Sequence, residues 1–257
     1  MALSDNLIAA WELDEASGNA IDSHGANDLT DTNTVTTGTG LVYSTARDFE
    51  EATDEYFTIA DNTDLSTGDI DFTFEAWCKW ESNNNYRLIL GKSPNGEFGK
   101  PEYNLLIDQD VGQRFGFSIN PNGVDPNVGV TANNFGNTSS GTWYQVICWH
   151  DATANQIGIA VNAGTADTTA HSAGVWDSTG AFQIGNGNTA VTRTWDGLIG
   201  PVRFWKRVLT SDERTELYNS GAGRTYAYIV GAGGRTTKNT RSWPLGVNVG
   251  MGWRIPV

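Results

Sequence analysis

The chain has 257 residues and 39% hydrophobic content, enough to bury one large all-β core or two small ones and too apolar for a disordered chain. Sixteen basic residues stand against thirty acidic ones, a net charge of −14, which disfavours generic binding to a phosphate backbone or an anionic membrane surface. Nucleic acid and membrane insertion are therefore excluded as expected partners, and no apolar run approaches the about 18 residues of a membrane-spanning helix.

From the start, MALSDNLIAAW has neither the basic nor the apolar region of a cleaved signal peptide, so secretion by that route is not expected. Short runs rich in Phe, Trp, Tyr, Val, Ile and Thr then follow between Asn, Asp, Gly and Ser clusters: LIAAWEL, YFTIA, DFTFEAWCKW, YRLILGK, YNLLID, RFGFSI, TWYQVICWHD, QIGIAVN, AFQIGN and GLIGPVRFW. Short strands at this spacing, with turn signals between them, predict a β-sandwich or jelly roll. In DFTFEAWCKW, alternation puts Phe72, Phe74, Ala76, Cys78 and Trp80 on one face and Thr73, Glu75, Trp77 and Lys79 on the other. Trp77 on the second face implies that this face too is partly covered. Cys78 and Cys148 lie in apolar runs and read as two buried thiols rather than a disulfide framework.

Near the C-terminal end, TSDE is a capping box: Thr210 can accept from the Glu213 backbone N–H while the Glu213 carboxylate reaches back. Leu217 and Tyr218 supply an apolar side and Gly221 is placed for a left-handed cap, predicting one short helix near 211–219. Beyond it, residues 222–257 contain Arg224, Arg235, Lys238, Arg241 and Arg254 but no Asp or Glu. The first 221 residues hold 11 basic and 30 acidic side chains, a balance of −19. This arm includes a strand-like run, Tyr226–Val230, a Gly-rich joint at 231–235, and a partly alternating apolar series from Trp243 to Trp253. It is expected to dock on its own acidic sandwich or on a neighbouring subunit.

Four ordered pieces, 7–29, 66–80, 141–164 and 182–221, resemble the laminin G-like branch of the concanavalin A-like lectin/glucanase superfamily. The resemblance implies an all-β jelly-roll β-sandwich of two antiparallel sheets over 1–221, closed by the short helix, followed by the basic arm of 222–257. It also implies glycan, glycoprotein or adhesive binding, although glycosidases and polysaccharide lyases share the fold, so function rests on the site. The Glu-x-Asp-x-(x)-Glu strand motif of the glucanases is absent; ELDEAS (12–17) lacks its closing Glu. His24, His150 and His171 are scattered and read as loop or strand-surface residues, so the chain is read as a non-enzyme.

Sugar recognition needs an aromatic platform flanked by amide and carboxylate groups. Tyr86 after SNNN, Trp176 with Asp177 in GVWDSTG, and Asn186 and Asn188 in GNGN are the candidates. For calcium, DEASGNAIDSHGAND packs Asp14, Asp22, Asn27 and Asp28 among small residues, which suits either an oxygen cage or a set of Asx-turns. In the family pattern this loop meets an Asp of the last strand. Gly200 stands at that place, and Asp196 is the substitute ligand. Asp61, Asp64, Asp69 and Asp71 read as solvated turn acids. The expected partner is a glycan or glycoprotein at an extracellular surface. The alternative is a virion decoration or fibre component that forms a homo-oligomer, or meets a capsid or fibre partner, through 222–257.

Overall fold

The computed structural model describes residues 1–82, 86–94, 100–108, 110, 112–124, 126–187 and 193–231. Two antiparallel sheets face each other. In the first, the strands run in the order β13 (Asp167–Ala170), β12 (Gln156–Val161), β11 (Tyr144–Asp151), β6 (Phe72–Trp80), β15 (Gly197–Trp205), β4 (Thr45–Phe49) and β3 (Thr36–Thr39). β1 (Leu7–Trp11) also pairs with β15. The second sheet runs β10 (Val128–Thr131), β9 (Arg114–Ile119), β8 (Tyr103–Asp108), β7 (Arg87–Lys92), β14 (Phe182–Ile184), β5 (Tyr56–Ile59) and β2 (Thr30–Thr32). Each of the ten runs read from sequence contains a strand. The jelly-roll expectation holds.

Alternation along the strands builds the core between the sheets. Phe72, Phe74, Ala76, Cys78 and Trp80 of β6 all point into it. Phe74 stacks on Phe204 at 4.4 Å between centroids and approaches Tyr103 of the opposite sheet at 4.8 Å, while Trp11 stacks on Phe182 at 5.1 Å. Removing such side chains from water stabilises the sandwich by about 1.5–3 kcal/mol each. Cys78 and Cys148 are both buried and free. The register explains this: Cys78 lies opposite Tyr144, and Cys148 lies opposite Phe74, four residues along β6. That offset is ~13 Å at the strand rise, too far for a disulfide.

β15 pairs with three strands of the first sheet, β6, β4 and β1. Its first half, Gly197–Ile199, pairs with β4, and its second half, Val202–Trp205, pairs with β1. Between them the pairing with β6 shifts register at Gly200–Pro201, where proline has no N–H to offer the ladder. Helix α1 (Ser211–Tyr218) follows with the capping box intact: Glu213 N donates to Thr210 Oγ1 at 3.2 Å, and Thr210 N donates to Glu213 Oε2 at 2.8 Å. The left-handed residue that ends it is Asn219, two positions before the expected Gly221, because asparagine also tolerates that conformation.

The outer face of the first sheet is covered, as Trp77 foretold. A second apolar cluster joins Leu3, Leu7, Ile147, Trp149, Trp205, Leu209, Leu217 and Ile229. Trp77 is 1% exposed, and Tyr218 stacks on it with an interplanar angle of 8°. The expected strand-like run after Gly221 is instead a helical turn, α2 (Tyr226–Ile229). Among the described residues no strand pairs with it, and the turn lets Ile229 enter the second cluster while Tyr226 N donates to Tyr43 Oη at 2.9 Å. The first ten residues of the arm therefore pack on the sandwich. The remainder, with Trp243–Trp253, lies outside the described residues.

Candidate functional site

The second sheet leaves one edge of its outer face open. Along β8, β9 and β10 the inward positions are large and apolar, Tyr103, Leu105, Ile107, Phe115, Phe117, Ile119 and Val130. The outward positions, Leu106 apart, are small or polar, and the register aligns them in two rows. Leu106 lies opposite Gly116 and Gly116 opposite Thr131; Asn104 lies opposite Ser118 and Ser118 opposite Gly129. Glycines at outward sites remove side chains from the floor. A Cβ at Gly129 would meet nothing closer than 3.7 Å, and one at Gly116 would crowd Leu106 at 3.3 Å.

The result is a shallow groove of about 210 Å³. Leu106 and the glycine backbone form its apolar floor, while Asp108, Ser118, Asn127 and Thr131 supply carboxylate, hydroxyl and amide groups along it. Tyr86, immediately before β7, stands at one end because Arg87 pairs with Ile107. Its hydroxyl donates to Asp110 Oδ2 at 3.1 Å, and the Arg193 guanidinium lies 5.3 Å from the ring centroid. Desolvation first, and then the Asp108 charge, push the Tyr86 phenol above its ordinary pKa, so it stays a neutral donor at physiological pH.

Of the sequence candidates among the described residues, Tyr86 alone lines this groove. Trp176 belongs to the other end of the sheet, where its N donates to Asn120 O at 3.1 Å and its ring rests against Gly123. The length of β8 separates the two aromatics by about 17 Å along the strand direction. Asp177 is a rim counter-ion, 4.0 Å from the buried Lys92 ammonium, which also meets Asp61 at 2.9 Å and the buried Glu102. Asp61 is thus an ion-pair partner rather than a purely solvated turn acid. Asn186 is buried, and its polar atoms face inward: Nδ2 donates to Asp54 Oδ1 at 3.2 Å and to Thr194 Oγ1 at 3.3 Å, and Oδ1 accepts from Gly187 N at 2.8 Å. Asn188 lies outside the described residues. Sequence reading passed over Leu106, Asp108, Ser118, Asn127 and Thr131. The available signal was the glycines of RFGFSI and VGVT at outward positions.

The calcium ligands do not come together. Asp22 is buried, and its two oxygens accept from Ala10 N, His24 N, Gly25 N, Asn27 N and Asn27 Nδ2 at 2.9–3.2 Å. Those donors occupy the lone pairs a cation would need. Asp28 Oδ1 accepts from Asp22 N at 2.9 Å, and Asp14 is exposed. Asp196 accepts from Glu51 N at 3.4 Å and from Ser82 Oγ. It lies six residues before Val202, which pairs with Trp11 beside Asp22, hence ~20 Å along β15. Among the described residues no three His, Cys, Asp or Glu side chains are grouped to hold a metal ion. The segment is a set of Asx-type turns, and its donor set does not fit calcium.

On the other sheet, Arg203 gathers Glu12 and Glu75. Its Nε and Nη2 donate to Glu12 Oε1 and Oε2 at 3.0 and 2.7 Å, and its Nη1 donates to Glu75 Oε2 at 2.9 Å. Gln145 Nε2 donates to Glu75 Oε1 at 2.7 Å, and Arg203 Nη2 also reaches the Arg224 carbonyl at 2.7 Å, beneath the C-terminal segment. Both carboxylates thus share one guanidinium and are buried from solvent. His150 and His171, read as surface residues, are buried too, their rings 5.8 Å apart. His150 Nδ1 is 2.8 Å from the Ile70 carbonyl and His171 Nε2 is 2.5 Å from that of Gly174.

A laminin G family model described as the concanavalin A-like lectin/glucanases superfamily matches residues 51–213, more than half of the chain. The chain belongs to the concanavalin A-like lectin/glucanases superfamily. No curated protein matches the sequence. Among solved structures, the superfamily sandwich seen here resembles the binding domain of Paraclostridial Mosquitocidal Protein 1, with TM-score 0.65 and 15% identity, over 85% of this chain and 53% of that one. It also resembles domain 4 of AbnA, a GH43 extracellular arabinanase from Geobacillus stearothermophilus in complex with arabinotriose (TM-score 0.57, 17% identity, 82% and 97% covered). A third likeness is Trypanosoma rangeli sialidase (TM-score 0.60, 13% identity, 86% and 34% covered). The chain spans about half of the mosquitocidal binding domain and a third of the sialidase. At these identities the likeness is one of fold, shared by binding domains and by chains of hydrolases.

Proposed function

We propose that the chain is a non-catalytic binding module that holds a glycan or glycoprotein glycan at an extracellular surface. The observation that carries this reading is the open groove on β8–β10. It joins an aromatic ring, an apolar floor and a row of hydroxyl, amide and carboxylate groups, the complement of a sugar with one apolar face and a polar rim. The likeness to an arabinanase domain solved with arabinotriose and to a toxin binding domain supports it. The burial of Glu12 and Glu75 against Arg203 argues against a hydrolase, since neither carboxylate reaches solvent to protonate a leaving group or activate water. A glycan array followed by calorimetry tests the reading. Tyr86→Ala is expected to weaken the bound glycan at least tenfold with an unchanged melting temperature. Binding that is indifferent to Tyr86 would remove the groove from the account.

A second reading, a virion or other assembly component, is favoured by one observation. Residues 1–231 hold 12 basic and 30 acidic side chains, whereas 232–257 hold four basic and none acidic. Comparing the oligomeric state of the full chain with that of 1–231 tests it; a full chain that is monomeric, like 1–231, would sink it.

A further inference from the structure

We propose that the groove on β8–β10 reads a carbonyl-type oxygen on its glycan, the acetamido or carboxylate group of a substituted sugar, through Arg114, Asn133 and Asn137. The inference rests on the glycan reading above. In β9 the inward side chains are Phe115, Phe117 and Ile119, so alternation puts Arg114 on the outward face with Gly116 and Ser118. The register sets Arg114 opposite Asp108. Pairing continues past the end of β10, where Ala132 N donates to Phe115 O at 2.9 Å, and this brings Asn133 level with Arg114. On the other side Tyr86 precedes Arg87, the partner of Ile107, and so falls beside Asp108. Tyr86, Asp108, Arg114 and Asn133 therefore form one row across the strand direction, ~14 Å long at the usual strand spacing. Asp108 accepts from Asp110 N at 2.8 Å and stands opposite a guanidinium, so the row carries both signs of charge.

At its Asn133 end the row offers donors. Arg114 Nε donates to Asn137 Oδ1 at 2.9 Å, and Nη1 donates to Asn133 Oδ1 at 2.8 Å. Each amide oxygen is turned to the guanidinium, so each Nδ2 points away from it, and both asparagines are exposed. The Asn137 amide lies against Gly112, where a Cβ would come within 2.7 Å of Oδ1, so its orientation needs that glycine. Arg114 Nη2 has no partner among the described residues. An oxygen that carries no proton accepts from such a cluster and leaves no donor of its own to place, whereas a hydroxyl there must turn its proton elsewhere. A sugar resting on Tyr86 thus extends its carbonyl or carboxylate oxygen towards Arg114.

Calorimetry with the full chain, at low and high salt, tests it. The probes are the N-acetylglucosamine trimer beside the glucose trimer of the same linkage, and a galacturonate trimer beside the galactose trimer of the same linkage. In one pair or both, the substituted sugar is expected to bind about tenfold more tightly than its plain counterpart, the effect of hydrogen bonds from a charged donor. A bias in the acetamido pair that is indifferent to salt assigns the amide carbonyl, and one in the galacturonate pair that fades with salt assigns the carboxylate. The double variant Asn133→Asp, Asn137→Asp keeps both oxygens beside Arg114 and removes only the amide donors, while Arg114→Met removes the guanidinium. Each is expected to bring the substituted probe to within about threefold of the plain one and to leave the plain one nearly unchanged. Equal binding within both pairs, or a bias that survives both variants, overturns the proposal, and weakening by Tyr86→Ala would still mark the groove as the glycan site. Silence of every probe, or binding untouched by Tyr86→Ala, overturns the glycan reading itself.

Discussion

Replacing Arg203 with methionine strands two buried carboxylates. Burial alone would lower the pKa of this guanidinium, but Glu12 and Glu75 outweigh that penalty and raise it, so the three charges persist only as a set. Arg203→Met is expected to cost about 3–5 kcal/mol in urea unfolding, because it leaves uncompensated charge inside. A loss below 1 kcal/mol would show that water reaches the cluster. The sequence held half of this arrangement in view: Glu75 and Trp77 fall on the face opposite the core by simple alternation. That Glu12, 191 residues before Arg203, completes it depends on β1 lying beside β15, which no local pattern states.

At the scale of elements, the C-terminal segment is the informative case. Arg224 O accepts from Arg203, Gly223 packs against Trp77, and Ile229 fills the second apolar cluster. The domain as a folded object therefore runs past Gly221. A chain ending at Gly231 is expected to fold, while one ending at Gly221 opens this cluster and the Arg203 network. The shorter chain is expected to melt at least 6 °C lower by circular dichroism, given about 2–4 °C per kcal/mol for a chain of this size. Equal melting temperatures would refute the claim that the segment is part of the sandwich. The ten apolar runs were legible as strands because large alternating side chains mark them. Five more strands, β2, β3, β4, β10 and β13, were not. Their sequences, TDT, TTGT, TARDF, VGVT and DTTA, are short and carry too few large alternating side chains to mark them; β2, β3 and β13 bury no side chain fully, and β4 and β10 bury only Ala46, Arg47, Phe49 and Val130, so pairing with a neighbour does much to make them strands.

At the scale of the whole molecule, acidic charge sets the response to solvent. Asp48 and Glu50 lie near Glu55, Glu81 and Asp196, and both have pKa values raised by desolvation and then by these neighbours. A carboxyl whose folded pKa is raised opposes folding above that pKa, and the opposition fades as pH falls through it. Asp48→Asn is therefore expected to stabilise the protein at pH 7, with the gain vanishing towards pH 4; a gain that persists in acid would contradict the charge origin. The same repulsion is screened by salt, so the melting temperature is expected to rise between 10 and 200 mM sodium chloride, and a fall would argue that attraction dominates.

By itself the sequence determined the sandwich class, the helix start at Thr210, the covered second face of β6 and the acidic surface. Each follows from side-chain period, capping chemistry or charge within a short window. Strand register decided that Cys78 and Cys148 do not pair. Only the tertiary structure decided that Tyr86, Leu106, Asp108 and Thr131 share a groove, that Trp176 stands at the far end, and that Asp22 is closed by N–H donors. Those outcomes depend on register between strands distant in sequence, where a shift of one residue would turn every outward side chain into the core.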